Sequence, residues 1–272
     1  MLHLLLNCLL VRNPRLIMSD RRVVIGIPVR MASSRFPGKP LEKILGKTML
    51  EHVWQRSCLN TASKEIFITG CDLAVENECL KIGANFIATN PMINRPGERV
   101  FEGVMGLNLN PDDIVVVVQG DEPLLEPTLI RIVVDELVKD PTLELVNVVG
   151  EISEDGANDP NEIKVVFNSS FEPLYMSRSR IPSSIHSEIE VRYWKQICVF
   201  AFTWSSMHKF YRSLNQGPLE TSESIELLRA IENSMNFRVV QSSARMLSVD
   251  TPEDLYQAEL LMKTDSLCKN YL

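Results

Sequence analysis

Continuously apolar runs alternate with amphipathic segments along the first 150 residues. A short apolar run is typical of a strand buried on both faces, whereas apolar positions at helical spacing favour an amphipathic helix. Strands are predicted at 23–28, 65–69, 86–88, 114–118 and 144–150, and helices at 48–59, 73–82, 98–107 and 127–139. This alternation of strand and helix predicts right-handed crossovers and a mainly parallel sheet.

The second half of the chain has a less regular pattern. Strands are predicted at 163–167, 195–203 and 237–240, helices at 222–233 and 252–263, and an irregular polar stretch at 173–187. Asp250 or Thr251 is a candidate N-cap of the last helix. We therefore expect an α/β fold, namely a Rossmann-like three-layer sandwich with a mainly parallel sheet and a smaller β-rich insertion.

The first 11 residues are apolar but do not match a secretory signal. Arg12 and Arg15 follow the apolar run instead of preceding it, and no small-residue cleavage pattern is present. The run is too short to span a bilayer, and no other segment is a candidate for a transmembrane helix. We expect residues 1–17 to be a leader outside the fold, residues 18–272 to form a single domain, and the protein to have no membrane partner.

Composition and charge narrow the class of protein. The 272 residues include 28 Lys and Arg against 35 Asp and Glu, which gives a net charge of −7, and 45% of them are apolar. These values exclude a disordered or collagen-like chain. The negative charge argues against a nucleic-acid partner. The six cysteines lack metal-site spacing, so we expect reduced thiols and a cytoplasmic protein.

The loop after the first predicted strand is basic. It contains Arg30, Arg35 and Lys39 among small residues such as Ser33 and Gly38. Ligands of parallel α/β sheets bind beyond the carboxyl ends of the strands, where this loop begins. Backbone N–H groups of small residues approach phosphate oxygens closely, and the cations neutralise the charge of a triphosphate. The loop matches neither Walker A nor the dinucleotide glycine pattern, and a solvated basic loop is the alternative.

Two carboxylates are candidate ligands of a metal ion. Asp121 follows the strongest predicted strand, and Asp250 lies at a predicted strand-to-helix junction. Carboxylate oxygens are the ligands that Mg²⁺ prefers, so the pair is a candidate site for an ion that bridges phosphates. The alternatives are a turn that uses the Asp121 side chain and a simple helix cap at Asp250.

Five segments together resemble the motifs of one enzyme family. They are Pro28–Leu41 (PVRMASSRFPGKPL), Val118–Pro123 (VQGDEP), Tyr175–Arg178 (YMSR), Pro218–Arg229 (PLETSESIELLR) and Val249–Leu255 (VDTPEDL). In this order they are similar to the motifs of the CMP-Kdo synthetases, the 3-deoxy-manno-octulosonate cytidylyltransferases. That family has the nucleotide-diphospho-sugar transferase fold.

The resemblance implies a reaction of CTP with a 3-deoxy-2-ulosonic acid, expected to be Kdo, to give a CMP-sugar and pyrophosphate for lipopolysaccharide biosynthesis. The residues that it assigns to the nucleotide are Arg30, Ser33, Arg35, Lys39, Gln119 and Asp121. Arg30, Arg35, Lys39 and Asp121 are the ones implied to be catalytic. The resemblance places Mg²⁺ on Asp121 and Asp250.

The resemblance also assigns the sugar site and the assembly. The residues implied to contact the sugar are Gln119, Arg178, Gln196, Glu220 and Glu223. The nucleotide half would span about residues 22–150, and the sugar and dimerisation part about residues 151–245. A homodimer is expected.

Two segments depart from the family's motifs. Its S-G-T-E-R becomes Arg95-Pro-Gly-Glu-Arg99, with Gly97 in place of Thr. Gln196 replaces a His, and Cys198 and Phe200 replace Gly and Tyr on the same predicted strand. We therefore expect intact phosphate and metal groups and an altered acceptor pocket, for Kdo or for a relative such as 8-amino-Kdo.

Two other functions stay open from the sequence. One is a sugar-1-phosphate nucleotidyltransferase that uses another nucleoside triphosphate. The other is a catalytically retired homologue that acts as a binding subunit. The second is disfavoured because a retired copy has little reason to keep all five candidate phosphate and metal residues, Arg30, Arg35, Lys39, Asp121 and Asp250.

Overall fold

The computed structural model describes residues 21–33, 35–244 and 246–272. The predicted leader, residues 1–17, lies outside the described residues. None of the helices within them is long and apolar enough to cross a membrane.

Strands and helices alternate through most of the described chain. The strands are β1 (Val23–Pro28), β2 (Lys43–Ile44), β3 (Lys47–Thr48), β4 (Glu65–Gly70), β5 (Asn85–Ala88), β6 (Ile114–Val118), β7 (Leu145–Ile152), β8 (Lys164–Phe167), β9 (Pro173–Ser177), β10 (Tyr193–Thr203) and β11 (Phe237–Ser242). The helices are α1 (Met49–Cys58), α2 (Leu73–Ile82), α3 (Pro96–Val104), α4 (Thr128–Lys139), α5 (Glu154–Asn158), α6 (Trp204–Arg212), α7 (Pro218–Glu223), α8 (Leu228–Glu232) and α9 (Pro252–Met262).

The strand order confirms the predicted mainly parallel α/β fold. The main sheet has the order β11-β7-β10-β6-β1-β4-β5. Its strands pair in parallel except β10, which runs antiparallel to both of its neighbours. Strand β8 pairs antiparallel with β10 and with β9, so that β8 and β9 extend the sheet beside β10. Strands β2 and β3 form a separate small hairpin.

Alternating side chains of the central strands bury two separate cores. In β6, Ile114, Val116 and Val118 belong to the core under α1, α2 and α4, whereas Val115 and Val117 belong to the core under α3, α6 and α8. All five side chains are fully buried. The predicted strand at 114–118 and the three-layer arrangement are therefore confirmed, since a strand buried on both faces needs a continuous apolar run.

Four parts of the second half differ from the prediction, one of them being the short helix α5, which was not predicted. The stretch 173–187 is not irregular throughout, because its first five residues pair with β8 as β9. The single helix predicted at 222–233 is broken at Ser224, where the backbone is left-handed with φ of 54°, and α8 begins only at Leu228. Helix α6 was not predicted, and it begins where the Thr203 side chain accepts the Ser206 N–H.

Candidate active site

A cavity of about 700 Å³ lies at the carboxyl ends of β1 and β6. These strands are parallel neighbours, so the loops that follow them leave the sheet at one edge. The predicted site residues that line the cavity are Arg30, Ser33, Arg35, Lys39, Gln119, Asp121, Arg178, Gln196 and Asp250. The structure therefore brings the predicted phosphate, metal and most of the sugar residues together.

Lys39 lies at the centre of the phosphate end of the cavity. Its Nζ donates to Asp121 Oδ2 at 2.8 Å, to Asp250 Oδ1 at 3.0 Å and to the Val249 carbonyl at 2.7 Å. Burial disfavours the charged ammonium, but the two carboxylates outweigh burial and raise the pKa of Lys39. Lys39 therefore remains a cation whose three N–H groups are all used.

The loop that carries Asp250 is tied to the end of β6. The Val249 N–H donates to the Asp121 carbonyl at 2.9 Å, and the two carboxylates are thereby brought to the same lysine. The prediction that Asp250 lies at a strand-to-helix junction is wrong on the strand side, because β11 ends at Ser242 and residues 246–250 lie outside any strand. Of the two candidate caps of α9, Thr251 is the N-cap, and it forms a capping box with Asp254.

The two arginines of the basic loop are exposed within the cavity. Arg35 forms an ion pair with Asp250 at 3.0 Å and donates to Asn161 from its other terminal nitrogen. Arg30 donates to Asn94 Oδ1 at 3.4 Å. Guanidinium groups present planar donor pairs that match phosphate oxygens, so both arginines are available to a triphosphate.

Asp121 and Asp250 fit a magnesium ion in their chemistry. Asp121 Oδ1 is buried and has no hydrogen-bond partner among the described residues, which leaves one carboxylate oxygen uncommitted. Among the described residues, no group of three or more His, Cys, Asp or Glu side chains is arranged to hold a metal. Mg²⁺ needs no such cage, since it commonly takes one or two carboxylates together with phosphate oxygens and water.

Glu122, next to Asp121, is a buried acid that the sequence analysis did not single out. Its Oε1 accepts the Ser248 hydroxyl, and its Oε2 has no partner in the part of the chain that the structure describes. Burial, with a smaller contribution from the Asp121 charge, raises the pKa of Glu122 to about 7. The two adjacent carboxyl groups therefore differ, with Asp121 facing the cavity and Glu122 buried behind it.

Glu220 and Glu223, predicted to contact the sugar, do not line the cavity. Glu220 is fully buried and accepts both Nε and Nη2 of Arg229, at 2.8 and 2.9 Å. Glu223 accepts the Ser177 hydroxyl at 2.6 Å and the backbone N–H of Arg178 at 2.9 Å. Their carboxylates are engaged with protein groups behind the wall, so Glu223 supports Arg178 instead of facing the cavity.

Lys164 is a second residue that sequence reasoning missed. It is fully buried, and its Nζ donates to the backbone carbonyls of Asp159, Glu162 and Arg178 at 2.6–2.7 Å. Burial lowers the pKa of Lys164. The lysine thus joins two segments of the cavity wall, and the signal for it was a charged residue inside the apolar strand run IKVVF.

Both departures from the family's motifs lie in the cavity wall. Gln196, Cys198 and Phe200 of β10 line it, as do Arg95, Pro96 and Arg99 around the start of α3. Gln196 donates its backbone N–H to the Ile163 carbonyl at 2.8 Å, which holds β10 beside the segment before β8. The altered positions are therefore able to change what the cavity accepts.

Comparison with known proteins gives one consistent family. A family model described as cytidylyltransferase matches residues 23–237. The 3-deoxy-manno-octulosonate cytidylyltransferase of Syntrophus aciditrophicus is 36% identical over 86% of this chain and 94% of its own. The 8-amino-3,8-dideoxy-manno-octulosonate cytidylyltransferase of a Shewanella species is 34% identical over 87% of this chain and 97% of its own.

A solved structure agrees with these relatives. The structure of CMP:2-keto-3-deoxy-manno-octonic acid synthetase in complex with CTP superposes with a TM-score of 0.82 at 32% identity. The match covers 89% of this chain and 98% of that one. The chain therefore belongs to the cytidylyltransferase family, in the group that contains the Kdo and 8-amino-Kdo enzymes.

Proposed function

We propose that the protein transfers CMP from CTP to the anomeric hydroxyl of a 3-deoxy-2-ulosonic acid and releases pyrophosphate. The observation that carries the proposal is the buried Lys39 ammonium, held by Asp121 and Asp250 in a cavity that Arg30 and Arg35 also line. This arrangement concentrates fixed positive charge where a triphosphate reacts.

The chain's own residues position the reactants and oppose the charge that develops. Lys39, Arg30 and Arg35 bind the triphosphate, so that the α-phosphorus is open to in-line attack and the negative charge on the leaving pyrophosphate is stabilised. Mg²⁺ held by Asp121 and Asp250 would neutralise further phosphate charge. Lys39 has three protein acceptors, so it binds a phosphate oxygen once the ligand takes the place of one of them.

The acceptor end binds the sugar acid. Arg178 lines the cavity and is the cation for the sugar carboxylate, while Gln119 and Gln196 offer amide groups for hydroxyls. Kdo and 8-amino-Kdo are the two candidate acceptors, since relatives of similar identity carry both names. A homodimer, a cytoplasmic location, and a role in lipopolysaccharide biosynthesis stay predictions.

The test is pyrophosphate release in the presence and absence of Mg²⁺. CTP, UTP, ATP and GTP are each combined with Kdo, 8-amino-Kdo, sialic acid and a hexose 1-phosphate. Turnover with CTP and one of the first two acids, dependent on Mg²⁺, is the expected result. Turnover with a hexose 1-phosphate alone, or silence from folded protein, would refute the proposal, and silence would favour a retired binding subunit.

A further inference from the structure

Asn94, Arg95, Pro96 and Arg99 form a cavity wall beside the basic loop. Asn94 in this wall accepts a hydrogen bond from Arg30, one of the cations of the basic loop. Arg95, Pro96 and Arg99 line the same cavity. Helix α3 begins at Pro96, so the position of this helix sets the position of the wall.

The first turn of α3 is held by a residue from another part of the chain. Arg95, at the N-cap position, makes no side-chain cap. Instead, Glu226 Oε2 accepts the Gly97 N–H at 3.2 Å and Glu226 Oε1 accepts the Glu98 N–H at 3.3 Å. These are orphan donors of a helix start, which a carboxylate satisfies well. Glu226 itself lines the cavity.

Tyr211 completes this arrangement. Its hydroxyl donates to Glu226 Oε1 at 3.0 Å. Its ring lies between Phe101 and Phe210, with centroids 5.1 and 4.8 Å away, so the hydroxyl has little freedom to move. The Tyr211 side chain therefore fixes the direction of the Glu226 carboxylate.

Gly97 is the position that makes room for both side chains. A Cβ at residue 97 would overlap the Tyr211 hydroxyl and would lie 3.0 Å from Glu226 Oε2. Gly97, which stands where the family's motif has Thr, thus leaves the space that the Tyr211 hydroxyl occupies. Any side chain here forces Tyr211 or the helix start to move.

We propose that Glu226 and Tyr211 are positioning residues for the nucleotide, and that Gly97 is required because their side chains occupy the space of its missing Cβ. The inference rests on the proposed function for the identity of the nucleotide. It assigns a role to the segment around Gly97 that the reaction scheme above does not use.

The test is steady-state kinetics of Tyr211→Phe, Gly97→Ala and the double variant. Loss of one buried hydrogen bond in Tyr211→Phe should raise the KM for CTP about two- to tenfold, with kcat and the KM for the sugar acid unchanged. Gly97→Ala should raise it roughly tenfold or more, because overpacking displaces the helix start. In the double variant the added effect of Gly97→Ala should shrink, since the overlapping hydroxyl is gone.

Two matched controls separate positioning from general loss of structure. Gly106→Ala changes a glycine just beyond the other end of α3, where a Cβ meets nothing within 4 Å. Tyr256→Phe removes an exposed hydroxyl. Both should leave all kinetic constants unchanged. An unchanged KM for CTP in Tyr211→Phe, or additive effects in the double variant, would overturn the inference.

Failure of the inference and failure of the proposed function give different results. If the wild-type protein does not react CTP with a sugar acid, the proposed function fails. If the wild-type protein is active and the KM for CTP does not respond to Tyr211→Phe, only the positioning inference fails. CTP binding measured by calorimetry without acceptor gives the same comparison independently of turnover.

Discussion

The two ends of the cavity use the same kinds of side chain in opposite ways. At the phosphate end, Lys39 pairs with Asp121 and Asp250, whose side chains are 24% and 25% exposed and reach the cavity. Behind the cavity wall, in the segment predicted to contact the sugar, Glu220 and Arg229 also form an ion pair, but the Glu220 side chain is 0% exposed. The first pair is available to a ligand, whereas the second is part of the protein's framework.

The two ion-paired groups differ in whether a ligand can replace one of their members. A ligand phosphate or a cation can replace one partner of the Lys39 group, because those side chains border the open cavity. Arg229 cannot be displaced from Glu220 by a ligand without leaving a buried charge unpaired. A buried ion pair adds little net stability over an apolar pair, yet the loss of one partner is costly.

The largest predicted effect is on folding, at Arg229. Replacing Arg229 with Met leaves the Glu220 carboxylate buried with Arg95 Nε, 3.9 Å away, as its remaining cation, so the free energy of unfolding should fall by about 3–5 kcal/mol. Urea denaturation monitored by circular dichroism measures this change.

The double variant Arg229→Met/Glu220→Leu is the control, because it removes both charges. It should recover most of the lost stability, and its KM for the sugar acid should stay near the wild-type value if Glu220 belongs to the framework. A folded double variant with a strongly raised KM for the sugar acid would instead make Glu220 a direct sugar ligand.

The next largest effect is on catalysis, at Asp121. Replacing Asp121 with Asn removes a charge that holds Lys39 and a candidate ligand of Mg²⁺, so kcat should fall about 10²–10³-fold, as when one preorganised electrostatic group is lost. Pyrophosphate release over a Mg²⁺ titration measures it. Asp135→Asn, on the exposed face of α4, is the matched control. Near wild-type turnover of Asp121→Asn would remove Asp121 from the metal site.

Most of the phosphate end was predictable because its residues follow directly after apolar strands. Arg30, Arg35 and Lys39 follow one apolar strand and Asp121 follows another, and parallel strands bring their carboxyl ends to one edge. Eight of the nine predicted first-half elements match the structure to within two residues at both ends, because their apolar patterns are strong.

The segment 218–229, from which sugar contacts were predicted, was not predictable in the same way. Glu220, Glu223 and Glu226 lie three residues apart and look alike in sequence, yet each contacts a different element. The helix predicted at 222–233, which covers Glu223 and Glu226, is broken at Ser224, so the three carboxylates point in different directions. The conformation of such a segment depends on tertiary contacts, which cannot be read from the local periodicity of the sequence.

A smaller effect is predicted at Glu122, the acid next to Asp121, whose titration should change the free energy of unfolding by about 2–3 kcal/mol. Burial raises the pKa of Glu122 to about 7, so the protonated carboxyl is the form that the folded state favours. Its contribution to stability is complete below the ordinary glutamate pKa and is lost as the pH rises through 7. Glu122→Gln cannot ionise, so its stability relative to wild type should improve between pH 5 and pH 8.

Urea denaturation in EDTA, without nucleotide, at several pH values measures this dependence. Glu126→Gln, which lies nearby in sequence at an only partly buried position, is the control and should show no such slope. A difference between Glu122→Gln and wild type that is independent of pH would mean that Glu122 is charged in the folded protein.

The smallest effect is predicted at Glu223, which could act either by supporting Arg178 or by direct contact with the sugar. Glu223→Gln weakens the acceptor of the Ser177 hydroxyl and of the Arg178 N–H, so the KM for the sugar acid should rise about two- to tenfold with the KM for CTP unchanged. Sugar acids that lack single hydroxyls distinguish support from contact. If Glu223 only holds Arg178, removal of a hydroxyl from the acceptor should raise the KM by the same factor in the variant as in wild type. If Glu223 binds a hydroxyl directly, one deoxy acceptor should be insensitive to the substitution, and Glu223 would then face the sugar in the working enzyme.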